Sequence, residues 1–455
     1  MKLRDLQGLR VGVWGLGVEG KAAVRVAKRS GAAEVVVVDA RASTFGGDWD
    51  VTDDTSSLYK CDVVIVSPGI SRHRPDVRAL AARATVTGGT AIALGELSDR
   101  GQRTLCVTGT KGKSTTSAVA ATVLTGCGVS ASHVGNIGKP LLGLLEPDNG
   151  VSLAEILIAE ISSHQAADVD VSPMNGAITS LAPEHLDWHG TPESYYEDKL
   201  RLFANRPDAE VVVSHQALPI ALQYLSPSIL RTPEELVEPT VLDSFSQGSL
   251  AGRHNTSNMR VALAACTSLG VNVAACRDEA QTALQAFEAL PHRLTPVASL
   301  HGILFIDDTL STTPLSTLAA LEALDTRDVT LIAGGQDRGL DFTNLAEQIA
   351  SRHVPVRVVT MPDTGSRIAQ AIRDASAARD REVIIRETET LAAAVEVSTR
   401  LTPKSGVVLL SPASPSFNRY TNYEQLAAAF LGFAEEAGAV VFRVSRSKVS
   451  WYANM

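Results

Sequence analysis

Thr108-Gly-Thr-Lys-Gly-Lys-Ser-Thr115 decides how the rest of this 455-residue chain reads. It follows a short apolar run, Thr104–Thr108, and opens a helical pattern, Thr116 to Thr125, that stops at Gly126. Strand, glycine-rich turn and helix in that order make a phosphate-binding P-loop. Small residues let backbone N–H groups face phosphate oxygens, and the helix N-terminus adds its partial positive charge. Lys113 is expected to reach the β- and γ-phosphates and the Ser114 hydroxyl to sit on Mg²⁺. Gly109, Thr110, Lys111, Gly112 and Thr115 complete the expected cradle. Val107 stands where the first glycine of the pattern usually falls, so the match is not strict. ATP is the nucleotide this turn implies.

Strand-like runs alternate with helical patterns on both sides of the loop. They are Val11–Trp14, Val35–Val38, Val63–Ser67, Ile156–Glu160, Gly176–Thr179 and Val211–Ser214, then Leu304–Asp307, Val329–Ala333, Val356–Met361, Val383–Ile385 and Val407–Leu410. Such alternation predicts parallel sheets with crossover helices, the α/β class. Boundaries are expected near Ser98–Gln102 and near Leu290–Arg293, after a helical pattern at Asp278–Ala289. Three domains result: 1–98, Rossmann-like; 99–289, the P-loop ATPase domain with a parallel sheet; and 290–455, a second Rossmann-like α/β domain.

Composition excludes several classes. Hydrophobic content of 45% is that of a globular protein, and the net charge of −9 with dispersed basic residues argues against a nucleic-acid or anionic-membrane partner. Met1-Lys-Leu-Arg-Asp5 lacks the apolar stretch of a signal peptide and no run is long enough for a membrane span, so a cytoplasmic protein is expected. Cys61, Cys106, Cys127, Cys266 and Cys276 have no paired spacing, which predicts reduced thiols with neither disulfide nor zinc site.

Gly15-Leu-Gly-Val-Glu-Gly20 follows the first strand, and Asp39 ends the next. That is a dinucleotide-type glycine turn, which other diphosphates also use, so an NAD dehydrogenase is a reading from a different class. Ser67-Pro-Gly-Ile70 at another strand end could add donors to the same ligand. Beyond the P-loop, Glu160 ends a strand and would supply a carboxylate oxygen to Mg²⁺ beside Ser114. Ala182-Pro-Glu-His-Leu-Asp-Trp-His-Gly190 concentrates His185, Asp187 and His189. With no third soft ligand at zinc spacing, a second Mg²⁺ near the γ-phosphate is the better reading.

These motifs, with Tyr196-Glu-Asp-Lys199, His254-Asn-Thr-Ser-Asn258, Pro291-His-Arg293 and Asp308-Thr309, come in the order found in the Mur ligase family, and the chain resembles its glutamate-adding branch from Gly15 to Phe417. The resemblance implies that ATP activates the carboxylate of UDP-N-acetylmuramoyl-L-alanine as an acyl phosphate, which the amine of glutamate then attacks. It places the substrate diphosphate on Gly15 and Gly17 near Asp39, Ser67 and Gly69. It gives His185 and a CO₂-carbamylated Lys199 to the second Mg²⁺, Asn136 to the phosphates and Asn258 to the adenine side. Arg293 and Asp308 would reach ATP on domain closure, and Thr312, Arg338, Ser416 and Tyr423 would hold glutamate. A monomer is expected.

One departure bears on the glutamate isomer. D-glutamate ligases of the family read Asp-Ser-Lys-Ala-Thr-Asn where this chain has Asp308-Thr-Leu-Ser-Thr-Thr313, and Arg338 stands for another lysine. Inverting the Cα of glutamate moves its side-chain carboxylate, so its anchors must move. L-glutamate is favoured, with a separate epimerase acting on the product; D-glutamate, a folylpolyglutamate synthase-like ligase and a non-enzymatic ATP switch are the alternatives.

Overall fold

In the computed structural model of the chain, the described residues are 1–45, 49–136, 140–146, 153–245, 253–287, 292–415 and 419–442. Short runs rich in β-branched residues form three sheets. The first is wholly parallel, in the order β3 (Val51–Thr52), β2 (Glu34–Val38), β1 (Arg10–Trp14), β4 (Val63–Val66), β5 (Thr85–Thr87). The second is also parallel and centres on β6 (Arg103–Thr108), flanked by β8 (Ile156–Glu160) and β7 (Ala131–Gly135) on one side. On its other side lie β9 (Asn175–Ile178), β10 (Glu210–Val213) and β11 (Leu230–Arg231). From Thr104 to Thr108 every β6 residue is buried, as a central strand covered on both faces requires.

The third sheet runs β16 (Ile385–Glu387), β15 (Val356–Thr360), β14 (Val329–Ala333), β17 (Val407–Leu410), β13 (Ile303–Asp307), β12 (Thr295–Leu300), β18 (Val440–Val441). It is mixed rather than purely parallel, because β12 pairs antiparallel with both β13 and β18. His301 and Gly302 make the tight reversal between β12 and β13, both at positive φ (51° and 86°), the twist a two-residue hairpin needs. The expected strand at Val383–Ile385 forms two residues later, as β16.

By contacts the chain divides into two compact units: Met1–Gly248 with Asn255–Phe287, and Ser249–His254 with Glu288–Met455. The first unit contains the first two sheets, with one buried cluster running from Leu6 and Val11 to Val211 and Leu230 and a separate one around Trp14, Val64 and Leu80. The second unit packs helices on both faces of the third sheet, with one cluster around Leu331 and Ile368 and another around Phe305 and Phe430.

Three expectations are corrected. The P-loop helix begins at Lys113 rather than Thr116, and the later helix spans Arg277–Gln285 rather than reaching 289. The cysteines are not all reduced: Cys127 and Cys276 form a disulfide, whereas Cys61, Cys106 and Cys266 are free and buried. A separation of 149 residues hides this pair from any spacing rule. Packing creates it: Cys127 ends the P-loop helix, Cys276 precedes the first turn of the Arg277–Gln285 helix, and the two helices meet at Gly126. A Cβ on Gly126 would stand 3.0 Å from Ala280 Cα and from Ala283 Cβ, so the backbones approach as closely as glycine allows. Digestion without reductant should yield the Cys127 and Cys276 peptides joined, and Cys127→Ser should cost about 2–4 kcal/mol of stability. Separate peptides from freshly oxidised protein would contradict the pairing.

Candidate active site

Strand β6 ends at Thr108 in mid-sheet, and the chain turns through Gly109–Gly112 into the helix Lys113–Gly126. Gly112 holds the left-handed region (φ 89°), where a side chain would be strained and its Cβ would strike Asn258. The end of β9 braces the turn. Thr110 N–H donates to Ser180 O (2.7 Å), and Lys111 N–H donates to Ser180 Oγ (2.8 Å). Thr110 Oγ1 donates to Ala182 O (2.9 Å) and lies 2.7 Å from Tyr195 OH. These two residues thus build the loop, and the first turn from Lys113 through Ser114 and Thr115 has the N–H groups that a helix leaves without internal partners. Asn258, expected on the adenine side, lies against Gly112, and its carbonyl accepts from Thr116 Oγ1 (3.4 Å).

Two lysines converge on one acceptor. Lys113 Nζ donates to Gly109 O (2.9 Å) and Thr110 O (3.2 Å), and Lys199 Nζ donates to the same Gly109 O at 2.9 Å. Lys199 comes from the helix Pro192–Ala204 and is buried. Burial, reinforced by the Lys113 and Lys111 charges, drives its pKa well below the usual lysine range, favouring the neutral amine.

Glu160 closes β8 and is only 1% exposed. Burial alone would raise its pKa; His133, Lys113, Ser114 and Asn136 outweigh that and hold it at about 2. Asn136 Nδ2 donates to Oε1 (3.0 Å), whereas the buried Oε2 has no hydrogen-bond partner, and His133 Nε2 stands 3.8 Å away. An ionised, buried oxygen without a donor is the environment a hard cation fits. His185 sits at positive φ (56°), and desolvation with the nearby Lys111 and Lys113 charges lowers its pKa to about 4 against the pull of Glu184, although 41% of its side chain is exposed. It is therefore a neutral imidazole near pH 7, as a ligand must be. His189 does not join it at a metal: its Nδ1 meets Asp198 Oδ2 (2.6 Å) and its Nε2 meets Ser163 Oγ (3.0 Å).

A separate cavity of about 540 Å³ opens at the carboxyl ends of β1, β2 and β4 and gathers Gly15, Gly17, Asp39, Ser67 and Gly69. Asp39 is committed to the turn itself, accepting from Leu16 N–H (2.7 Å) and pairing with Arg41 (3.2 Å). Ser67 Oγ donates to Gly15 O (2.7 Å).

In the second unit, Asp308 is buried with its pKa raised to about 6 by burial, although Ser311, Ser411, Arg293 and the Leu294 N–H all favour the anion. Arg293 thus lies within electrostatic reach of Asp308. Thr312 follows β13, Arg338 follows β14 and Tyr423 opens a helix after β17, three neighbouring strands whose carboxyl ends share one sheet edge. A cavity of about 350 Å³ lined by Gly334, Gly335, Arg419 and Tyr420 includes none of the three. Ser416 lies outside the described residues.

Glu184, Ser180, Tyr195, Arg41 and Arg74 also shape these sites and are not among the expected residues. Glu184 bonds Lys111 Nζ at 2.6 Å and is held at about 2, where burial is outweighed by Lys111 and His185. Its place beside His185 was the available signal. Arg41 and Arg74 line the larger cavity, Arg74 lying 5.5 Å from the Trp14 ring. Ser180 and Tyr195 act only through tertiary contacts and carry no local motif.

A P-loop at the centre of a parallel sheet, with a carboxylate, an imidazole and two lysines turned toward it, defines a phosphate-handling α/β enzyme. Residues 107–227 match the Mur ligase middle domain and residues 292–414 the Mur ligase glutamate ligase domain. A UDP-N-acetylmuramoyl-L-alanine--L-glutamate ligase of Salinispora tropica is 38% identical over 94% of this chain and 98% of the relative. The enzyme of the same name from Xanthomonas axonopodis pv. citri is 35% identical over 93% and 94%. The MurF ligase of Thermotoga maritima, solved in complex with ADP, shares the fold at 17% identity, with TM-score 0.57 over 96% of this chain and 97% of that one. The chain belongs to the Mur ligase family. It is accordingly an ATP-dependent amide ligase, which sets aside the dehydrogenase and switch readings.

Proposed function

We propose that this enzyme adds L-glutamate to UDP-N-acetylmuramoyl-L-alanine at the expense of ATP, in the synthesis of a peptidoglycan precursor. The observation that carries the reading is the convergence of Lys113, Glu160, His185 and Lys199 on the P-loop, in a chain 38% identical to a ligase named for that reaction. We assign residues 1–98 to the UDP-muramoyl end, 99–289 to ATP and 290–455 to glutamate, the protein acting as a cytoplasmic monomer.

The chemistry joins two anions, so the site's work is mostly electrostatic. The alanine carboxylate takes the γ-phosphoryl group of ATP, releasing ADP and leaving an acyl phosphate. The glutamate amine then attacks the carbonyl carbon, phosphate departs and the amine loses its proton. Lys113 offsets phosphate charge, and the P-loop helix N-terminus orients the transferring group. Mg²⁺, held by Ser114 and Glu160 and at a second position by His185 and Lys199, would neutralise charge between the phosphates. In the first unit, Gly15, Gly17, Ser67 and Gly69 face the diphosphate, with Arg41 and Arg74 as cations on the same cavity.

L-glutamate is favoured because Leu310 and Arg338 stand where D-glutamate ligases use lysines, and because both curated relatives are named for L-glutamate. The product would then need a separate epimerase. Phosphate release with UDP-N-acetylmuramoyl-L-alanine and each pure isomer tests this: turnover with L-glutamate should exceed that with D-glutamate by at least tenfold, about 1.4 kcal/mol of discrimination. Preference for D-glutamate would overturn the isomer assignment.

A buried neutral amine is also the form that reacts with CO₂, giving a carbamate and releasing a proton. That change turns Lys199 from a poor neighbour of a cation into an oxygen ligand. Lys199→Ala should lose about 100-fold or more in turnover, in the range of a missing charge stabiliser, and added short carboxylates should restore part of it. Full activity in that variant would refute the role.

A further inference from the structure

The segments that carry Glu160, His185 and Lys199 come from three different places in the chain, yet one carboxylate is linked to all of them, directly or through His189. Asp198 precedes Lys199 on its helix. Its Oδ2 meets His189 Nδ1 at 2.6 Å and His73 Nε2 at 2.7 Å. His189 closes the short helix Leu186–His189, which His185 caps, and its Nε2 meets Ser163 Oγ at 3.0 Å. Ser163 opens the helix just after Glu160 and β8. His73 belongs to the loop after β4, the same loop that brings Ser67 and Gly69 to the diphosphate cavity.

The hydrogen positions follow from the partners. Arg78 NH2, always a donor, lies 3.3 Å from His73 Nδ1, so Nε2 carries the His73 proton and donates to Asp198. His189 donates from Nδ1 to the same oxygen and accepts at Nε2 from the Ser163 hydroxyl. Each group is then satisfied, and the two histidines with Asp198 need no metal between them although their ligand atoms lie within 4.8 Å of one another. The contact is part of a seam. Ser71 Oγ donates to Trp188 O (2.5 Å), Trp188 Nε1 donates to Pro68 O (2.9 Å), and Gln165 Nε2 donates to Glu19 Oε1 (2.6 Å). Arg72 Nε donates to Asp168 Oδ1 at 2.8 Å.

We infer that Asp198, bridging His73 and His189, is a positioning residue that sets the Lys199 helix and the His185 turn against the loop that holds the substrate diphosphate. The inference rests on the proposed placement of Mg²⁺ and the UDP-muramoyl substrate. His189 is wholly inaccessible at its side chain, so its ring has no other seat and a change at Asp198 must be transmitted to the turn. Outer partners of this kind govern ligand orientation without touching substrate.

The test uses Asp198→Asn and His73→Phe in the full-length enzyme. Mg²⁺-dependent binding of a non-hydrolysable ATP analogue is measured by calorimetry, alongside steady-state kinetics. Asp198→Asn should raise the Mg²⁺ concentration for half-maximal analogue binding and lower kcat, each by about 10–100-fold, with binding of UDP alone unchanged. His73→Phe, at the partly exposed end, should show a smaller shift in the same direction, and the double variant should be no worse than Asp198→Asn. If Asp198→Asn fails to fold, His73→Phe carries the test. An unchanged Mg²⁺ requirement in a folded variant would overturn the inference. So would zinc in the purified enzyme that is lost in the Asp198 variant, because the cluster would then be a metal site. If the wild type binds the analogue with Mg²⁺ but does not turn over the muramoyl substrate, the proposed activity fails while the binding readout still decides the positioning role.

Discussion

The carbonyl of Gly109 accepts hydrogen bonds from two amines, Lys113 and Lys199, and much of the molecule is arranged so that both can reach it. Two ammonium groups on one oxygen would repel strongly in a buried setting. Burial of Lys199 relieves the conflict by favouring its neutral form, and Glu160 and Glu184 add negative charge on either side. Lys111, Lys113 and Lys199 are thus set against the carboxylates of Glu160 and Glu184 around the P-loop. Keeping Lys199 buried requires the Pro192–Ala204 helix to pack tightly, with Tyr195, Leu200, Leu202 and Phe203 all inside.

The fold serves that constraint through the central position of β6. A strand with neighbours on both sides cannot shift without breaking two ladders, so the residue from which the loop departs is held from both sides. β8 delivers Glu160, and β9 delivers Ser180, from immediately adjacent strands. The Glu160 carboxylate and the brace of the P-loop therefore flank it by topology, before any side chain is chosen.

Much of this was legible in the sequence, for reasons that differ by element. The P-loop, the Gly15–Gly20 turn and the carboxyl-terminal placement of Glu160 could be read because glycine patterns and buried β-branched strands are local signals. Val51–Thr52, Leu230–Arg231 and Val440–Val441 could not, since a two-residue edge strand has no periodicity to detect. β12 was missed because its pairing is with a hairpin partner and its residues are half-buried, giving no clean alternation. The Cys127–Cys276 bond and the Asp198–His73 contact join segments far apart in the chain, and residue types alone do not encode those meetings. Glu184 is a different kind of omission: its neighbour His185 drew the chemical reading, although the carboxylate is what holds Lys111 in place.

Central to the proposed reaction is the transfer of the γ-phosphoryl group of ATP to the alanine carboxylate before the amide forms. It is tested most directly by giving the enzyme UDP-N-acetylmuramoyl-L-alanine with oxygen-18 in the alanine carboxylate, together with ATP and L-glutamate, and analysing the inorganic phosphate by mass. An acyl phosphate requires one labelled oxygen to leave with each phosphate released. Amide formation with unlabelled phosphate would contradict the account.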